Sequence, residues 1–591
     1  MKDLILKPTS FIAIALCFSF SSFSQETELD VRKMVNSASE GQLVEESSRM
    51  LQDDYYFFSE IAVDKLLTLK PESSNYNYRK GFIVLGSRGD YITALPFLEK
   101  GAKEISKNYD AFSMKETGAP TDVYYHLGRC YHLNENIEKA EEFYNKFILE
   151  SNKKSELLPK ATLGLKQCVL AKAAIASPKS SIVKNIGNNV NNEFADYTPV
   201  ISLDGKSLYF TSRRPWENNE SDAFKDPMLN NYTEDIYMSI NNGAGGWSSP
   251  SRMIFCSPEI NEATIAVSAD ERRIYAYEDV TGAGDLYFSD FSSNTFQTLE
   301  QVELKGVNTE FWETHCTVTP DGRNMYFVSD RPGGFGGRDI YRIVKLPDGT
   351  WSNPINLGAN INTIYDEESP YITVDNKTMY FASNGPASIG GFDIFVSVRD
   401  ESNTWSPAIN LGYPINRTGD DLFYTTTVDG RKGYLSSFRP EGFGEKDIYE
   451  IQNDFTTESD IVVLKGAIIN LDGGDLSEES HATLRCTTCE DQSVIRIPTR
   501  IRDGAFISTL TSCTEYELVF MENNTKEIRR EIFKTECLGG FKEVYKESTI
   551  GGNYLLTGKV KDKITGAGIP NASVQLIDSK TKNVLKTFKY C

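Results

Sequence analysis

Asp339-Ile340-Tyr341, Asp393-Ile394-Phe395 and Asp447-Ile448-Tyr449 stand 54 residues apart. The same offset separates Asp321, Asp375 and Asp429, each at a turn before an aromatic segment, and it separates Trp351 from Trp405. Turn, strand and loop positions that share one offset belong to a single supersecondary unit used repeatedly. The middle third of the chain is therefore a series of like pieces.

The fullest copy runs from Ser369 to Gly412. Residues 369–374 read as a strand, Asp375-Asn376-Lys377 as a tight turn and residues 378–382 as the hairpin partner. A glycine-rich loop, a third strand over 393–398 and a last one from Trp405 to Gly412 complete it. The strands do not alternate cleanly between apolar and polar. That fits a β-propeller blade, whose faces are both covered by neighbours. Two less regular copies precede, one through Asp204, Phe210, Asp235 and Trp247, the other through Asp270, Tyr275 and Asp285. Phe210 to Asp235 spans 25 residues where Phe327 to Asp339 spans 12, so the first copy carries an insertion of 13. The reading is an all-β propeller of five blades over residues 182–457, with an open ring or a sixth, degenerate blade as the alternatives.

The phase of the repeat also says how the ring shuts. Asn356-Leu-Gly-Ala-Asn-Ile-Asn362 recurs as Asn410-Leu-Gly-Tyr-Pro-Ile-Asn416, and as Asn185-Ile-Gly-Asn-Asn-Val-Asn191 ahead of the first copy. The last copy has no tryptophan-bearing fourth strand after Tyr449. Residues around Ile182–Ile186 are therefore expected to supply it, joining the ends of the domain and removing exposed sheet edges.

The chain has 591 residues and a formal net charge of −21. Residues 1–24 read as an export signal: Lys2 and Lys7, a short apolar run over 11–18, and small Ser22 and Ser24 before Gln25. The run is too short for a membrane span. Removing it takes away Lys2, Lys7 and Asp3 and leaves −22, which argues against nucleic acid and against docking on anionic lipid.

Residues 26–176 are helical in pattern. Tyr124, Leu127, Gly128, Tyr131, Ala140 and Tyr144 fall at the small and large positions of a tetratricopeptide repeat, with a looser copy at Tyr78, Gly81, Ala94 and Leu98. An all-α repeat solenoid is expected, with 177–181 as linker. Beyond Thr457 strand patterns dominate, and a small antiparallel β-sandwich fits residues 458–548. Residues 552–591 begin a second copy that Cys591 cuts short, so the C-terminus reads as incomplete.

The repeated Asp-Gly-Lys/Arg, Tyr-Phe, Ser-Arg-Pro and Asp-Ile-Tyr elements resemble the PD40, or WD40-like, repeats of TolB-type propellers. Gly466, Asp503-Gly504 and Tyr516, then Gly558 and Pro570-Asn571-Ala572, resemble carboxypeptidase regulatory-like domains. The domain order is similar to that of OmpA-family envelope proteins of the PorE kind, found with type IX secretion. The resemblance implies a periplasmic protein associated with the outer membrane, with envelope or secretion-complex proteins as partners. Peptidoglycan would join them only through an OmpA-like domain, which nothing in this sequence matches.

Catalytic signatures are missing from the sequence: no Gly-x-Ser-x-Gly, no His-Glu-x-x-His, and four scattered histidines. No cofactor or metal is expected. Asp235, Asp285, Asp339, Asp393 and Asp447 recur with the repeat and are read as structural, each accepting backbone N–H bonds from the loop before it. Tyr124 and Tyr131 of the helical groove, with Arg331, Phe335, Arg338, Arg439 and Phe443 of the glycine-rich loops, are the candidate partner-binding residues. Cys486, Cys489, Cys513 and Cys537 suit disulfides better than zinc in an exported domain, with connectivity open. The expected function is a non-enzymatic scaffold; the alternative is a glycan-binding or glycan-cleaving propeller.

Overall fold

The computed structural model describes residues 27–589 except 218–223, 227, 244–245, 279–283, 453–461, 474, 490–491, 538–540, 552–558, 578–581 and 583. The expected leader, residues 1–24, and the strand expected at 554–560, for all but its last two residues, lie outside the described residues. No described helix is long and apolar enough to cross a membrane.

Eight helices lead the described chain, from Glu28–Ser37 to Leu157–Ala176, and successive helices from Glu40 onward pack on one another. Small residues set their spacing. A Cβ on Gly128 would come within 2.6 Å of the Tyr144 ring, and one on Gly81 within 2.6 Å of Leu98. Gly89 ends Ser74–Arg88 in the left-handed region at φ 65°, and Asp90 caps the next helix by accepting the Thr93 N–H at 2.9 Å.

Five antiparallel sheets follow, four of four strands and one of five. Their first strands, Asp196–Ile201, Glu262–Val267, Cys316–Val318, Glu367–Ile372 and Asp421–Thr426, lie against one another in order, the last against the first. Each junction between neighbouring sheets holds its own apolar cluster. Tyr209 and Ile274 share one, Tyr326 and Phe381 another, and Phe210 and Tyr434 join the first sheet to the last. This is a propeller-like β-domain. Its closure follows the phase of the repeat: Ile182–Asn185 pairs antiparallel with Asp447–Gln452, Ile182 opposite Gln452 and Asn185 opposite Tyr449.

Residues 462–550 form two sheets around one core of Leu464, Ile468, Leu484, Phe506, Leu518 and Phe520, and beyond them Ser573–Ile577 pairs antiparallel with Val584–Lys589. The two-sheet unit departs from the expected all-antiparallel arrangement, because Val462–Asn470 and Lys542–Ile550 run parallel along nine residues. Between these two strands the chain builds two strands of the second sheet, one of the first and two more of the second. Cys486 is bonded to Cys489, and Cys513 to Cys537.

Both ends of the propeller-like strands are occupied by the rest of the chain. At one end His132 Nε2 meets the Ile389 carbonyl at 3.0 Å, Arg417 pairs with Glu135 at 2.6 Å, and Tyr91 meets Phe438 edge-on. At the hairpin-turn end Arg500 pairs with Glu271 and, at 2.6 Å, with Asp204, while Arg272 reaches the Thr499 carbonyl at 2.7 Å. Within an antiparallel sheet these are opposite ends of the strands. The ring is therefore held between the helices and the C-terminal sheets.

Candidate functional site

The glycine-rich loops and the carboxylates beneath them carry the most polar chemistry in the ring. Asp339 Oδ2 accepts the Phe335 N–H at 2.5 Å and the Asn356 amide at 2.8 Å. Asp393 does the same with Ile389 and Asn410 at 2.8 and 2.6 Å, and Asp447 with Phe443 and Asn185 at 2.6 and 2.7 Å. A side-chain oxygen bonded four residues back holds the loop in place. In the two irregular copies the donors change: Trp216 Nε1 serves Asp235 at 2.7 Å and Gln301 serves Asp285 at 2.9 Å.

A second set of carboxylates was not singled out from the sequence. Asp196, Glu262, Glu313, Glu367 and Asp421 begin or precede the innermost strands and are all buried. Glu313, Glu367 and Asp421 keep the 54-residue offset, and that signal could have found them. Each takes a backbone N–H from the loop before it: Asn192 at 2.7 Å, Ser257 at 3.1 Å, Thr309 at 2.9 Å, Thr363 at 2.7 Å and Arg417 at 2.7 Å.

These acids explain the arginines. Arg214 pairs with Asp196 at 2.6 Å, Arg331 with Glu313 at 2.8 Å and Arg439 with Asp421 at 3.1 Å. Arg331 also lies 5.0 Å over the rings of Phe327 and Tyr341. Arg338 is buried against Glu368 and Asp366. Arg331, Arg338 and Arg439, expected as partner-binding residues, thus serve as counter-charges within the chain. Tyr124 and Tyr131, the expected groove residues, are also engaged within the chain. Both are buried among the helices, and the Tyr131 hydroxyl is bonded to Glu99. Phe335 and Phe443 remain exposed, at 48% and 50%.

Burial dominates throughout the set of inner acids and raises even the arginine-paired Asp196, Glu313 and Asp421. Glu367 is pushed up to about 7 and Glu262 to about 9, Asp235 adding to the latter. Asp235 itself rises to about 7 through burial. Burial also opposes ionisation of Glu368, but Arg338 and His315 outweigh it and hold that carboxyl near 2.

The axis of the ring encloses a cavity of about 70 Å³, lined among others by Thr198, Ile265, Thr317, Tyr371 and Thr425. That is room for a few water molecules, well short of the space a bound sugar needs. Residues at three inner-strand bulges, Thr198, Ser369 and Phe423, adopt positive φ of 50°, 46° and 59°. Their repetition marks them as part of the blade, since strain reserved for chemistry would sit in one copy.

No protein-family model and no curated protein matches the chain. Among solved structures it is similar to a TolB-assigned protein of Agrobacterium tumefaciens, at 15% identity and TM-score 0.28 over 56% of this chain and 97% of that one. An α-L-arabinofuranosidase of Lactobacillus brevis is similar at 13% identity and TM-score 0.31, over 44% and 92%. The Xanthomonas campestris gluconolactonase XC5397 stands at 9% and 0.25, over 46% and 96%. At these TM-scores none of the likenesses bears on what this chain does.

Proposed function

We propose that the chain is a non-enzymatic scaffold of the periplasm, associated with the outer membrane and working within an envelope or type IX secretion assembly. Its ring is a five-bladed PD40-type propeller, gripped between tetratricopeptide-like helices and a regulatory-like sandwich, and its partners are proteins. The observation that supports this reading is the use of both ends of the ring by the chain's own flanking regions, over a central cavity of about 70 Å³. Pocket chemistry is thereby disfavoured, and the outer rim is left for contacts. Ile182, Ile355 and Ile409 of the outermost strands are exposed there. Near the glycine-rich loops, Phe335, Phe443 and Ile364 add apolar surface of the kind protein interfaces use.

The test is cross-linking in cells, set beside assays of the purified mature protein for retention on peptidoglycan and polysaccharides and for hydrolysis of fluorogenic glycosides. Cross-links to outer-membrane proteins without turnover are expected. Glycoside turnover lost on replacing His315, which lines the cavity, or Glu368, which pairs with it at 2.9 Å, would overturn the scaffold reading.

A further inference from the structure

Each junction of the ring brings the aspartate that opens one sheet's third strand close to the acid that opens the next sheet's first strand. Four of the five junctions are relieved by donors. Asp196, Glu313 and Asp421 have their arginines. Glu367 has the Thr363 N–H and the hydroxyls of Thr363 and Ser383, the latter two both at 2.8 Å.

The junction of Asp235 and Glu262 is built differently. The serine that faces the acid elsewhere, Ser383 opposite Glu367 and Ser437 opposite Asp421, is here Glu278, opposite Glu262. The arginine position two residues further on, held by Arg331 and Arg439 in other copies, is Val280 in the sequence. Glu262 keeps one donor, Ser257, and its other oxygen is buried without a partner. Asp235 keeps Trp216, and its Oδ1 is buried without a partner, as are those of Asp339, Asp393 and Asp447, so the second unpartnered oxygen on Glu262 is what sets this junction apart.

A sulfur completes the change. In the other sheets an asparagine clamps the third strand: Asn362 Oδ1 accepts the Ile340 N–H at 2.9 Å and its amide returns to the Ile340 carbonyl at 3.0 Å. Asn191, Asn308 and Asn416 repeat this on Ile448, Leu286 and Ile394. The corresponding stretch, residues 253–258, contains no asparagine. Cys256 takes its place, its sulfur accepting the Ile236 N–H at 3.3 Å. One carboxylate oxygen from Asp235, one from Glu262 and the Cys256 sulfur lie within 4.8 Å of one another, all on buried residues.

We propose that Asp235, Cys256 and Glu262 bind a divalent transition-metal ion of the zinc type. Two carboxylates and a thiolate match zinc, which accepts mixed oxygen and sulfur donors and completes a tetrahedron with a water. Calcium and magnesium would need more oxygen ligands and avoid sulfur. Trp216 and the Ile236 N–H orient two of the ligands from behind, as outer partners do in metal sites. Binding draws the donors inward by about 1 Å toward ordinary tetrahedral spacing and releases the thiol proton to solvent. The ion takes over the bracing that asparagine supplies at the other junctions, in the copy whose second and third strands are separated by the long insertion.

The experiment uses the full mature chain, stripped with a chelator and then given Zn²⁺ or Co²⁺. A single equivalent of zinc is expected to survive dialysis and to raise the melting midpoint. The Co²⁺ form is expected to show thiolate-to-metal charge-transfer absorption that Cys256→Ser abolishes and Cys316→Ser keeps. Should Cys256→Ser fail to fold, alkylation of the wild-type chain during mild heating decides: Zn²⁺ should protect Cys256 and leave Cys130, Cys168 and Cys316 unaffected. Equal labelling with and without Zn²⁺, no retained metal, or unchanged metal content in Glu262→Gln with Cys256→Ser would overturn the proposal. The carboxyls would then be a pair sharing a proton.

Discussion

Asn185 donates its side-chain amide to Asp447 at 2.7 Å, although 262 residues separate them in sequence. The same bond is local in other copies, Asn356 to Asp339 at 2.8 Å and Asn410 to Asp393 at 2.6 Å. A contact that stabilises one blade elsewhere here ties the start of the ring to its finish.

Asn185→Ala should therefore do more than Asn410→Ala. Each removes the amide's bond to a buried carboxylate, about 1–3 kcal/mol, together with two bonds accepted by the asparagine Oδ1, and Asn410→Ala also loses a bond to the Ala387 carbonyl. Only the first frees the closing strand. Limited proteolysis is expected to cut Asn185→Ala first near residues 177–186 while Asn410→Ala resists there. Equal protection of the two would contradict the latch.

Gly128→Ala places a methyl into the Tyr144 ring. The cost of overpacking is about 1–3 kcal/mol, read as a lower melting midpoint for the helical region. Tyr144→Leu in the same chain should recover part of it.

Acid should loosen the helices and their seat on the ring. Burial pushes the imidazoles of His126 and His132 down to about 3 and about 4 from an ordinary 6.5. Below pH 6.5 the unfolded chain binds protons that the folded chain refuses, so stability is full above 6.5 and falls as pH drops toward 4. His132 alone accounts for about 3 kcal/mol of loss by pH 4. His132→Gln should flatten that part of the melting-midpoint profile between pH 6.5 and 4. An unchanged slope would show that His132 is not the titrating group.

Arg500→Ala strips counter-charge from Glu271 and Asp204, both buried or nearly so. For ion pairing, Glu271 then keeps only Arg502 at 3.2 Å and Asp204 only Lys206 at 3.7 Å. Weakening this buried pairing costs up to about 3 kcal/mol, and the loss falls on the seam between the ring and the C-terminal sheets. Small-angle scattering should report a larger, more extended particle, with the C-terminal region released earlier by protease. Arg530→Ala, whose pairs with Glu517 and Glu527 lie out on the surface of the C-terminal sheet, should change neither.

The ring was readable because its period is written in strands, turns and aromatic residues together. Closure was readable because Asn185–Asn191 repeats Asn356–Asn362 out of phase. The internal partners of the arginines were hidden for a physical reason. A sequence shows Arg331 and Arg439 in open, glycine-rich loops, but the acid each one neutralises, Glu313 or Asp421, sits about 18 residues earlier on another strand. The five inner acids were hidden by chemistry that alternates between Asp and Glu and by two copies that break the offset. Nothing local tells that His132 will sit on Ile389 or Arg500 on Asp204, since both meetings arise between separately folded parts. Cys256 carried no signal of its own; only its position beside Asp235 and Glu262 gives it chemistry.

The strand that seals the wheel, Ile182–Asn185, is made long before its partner Asp447–Gln452. During synthesis it has nothing to pair with until some 260 further residues have emerged. Assembly of this part is therefore a last-step event, and any agent that holds the early segment keeps the whole wheel open.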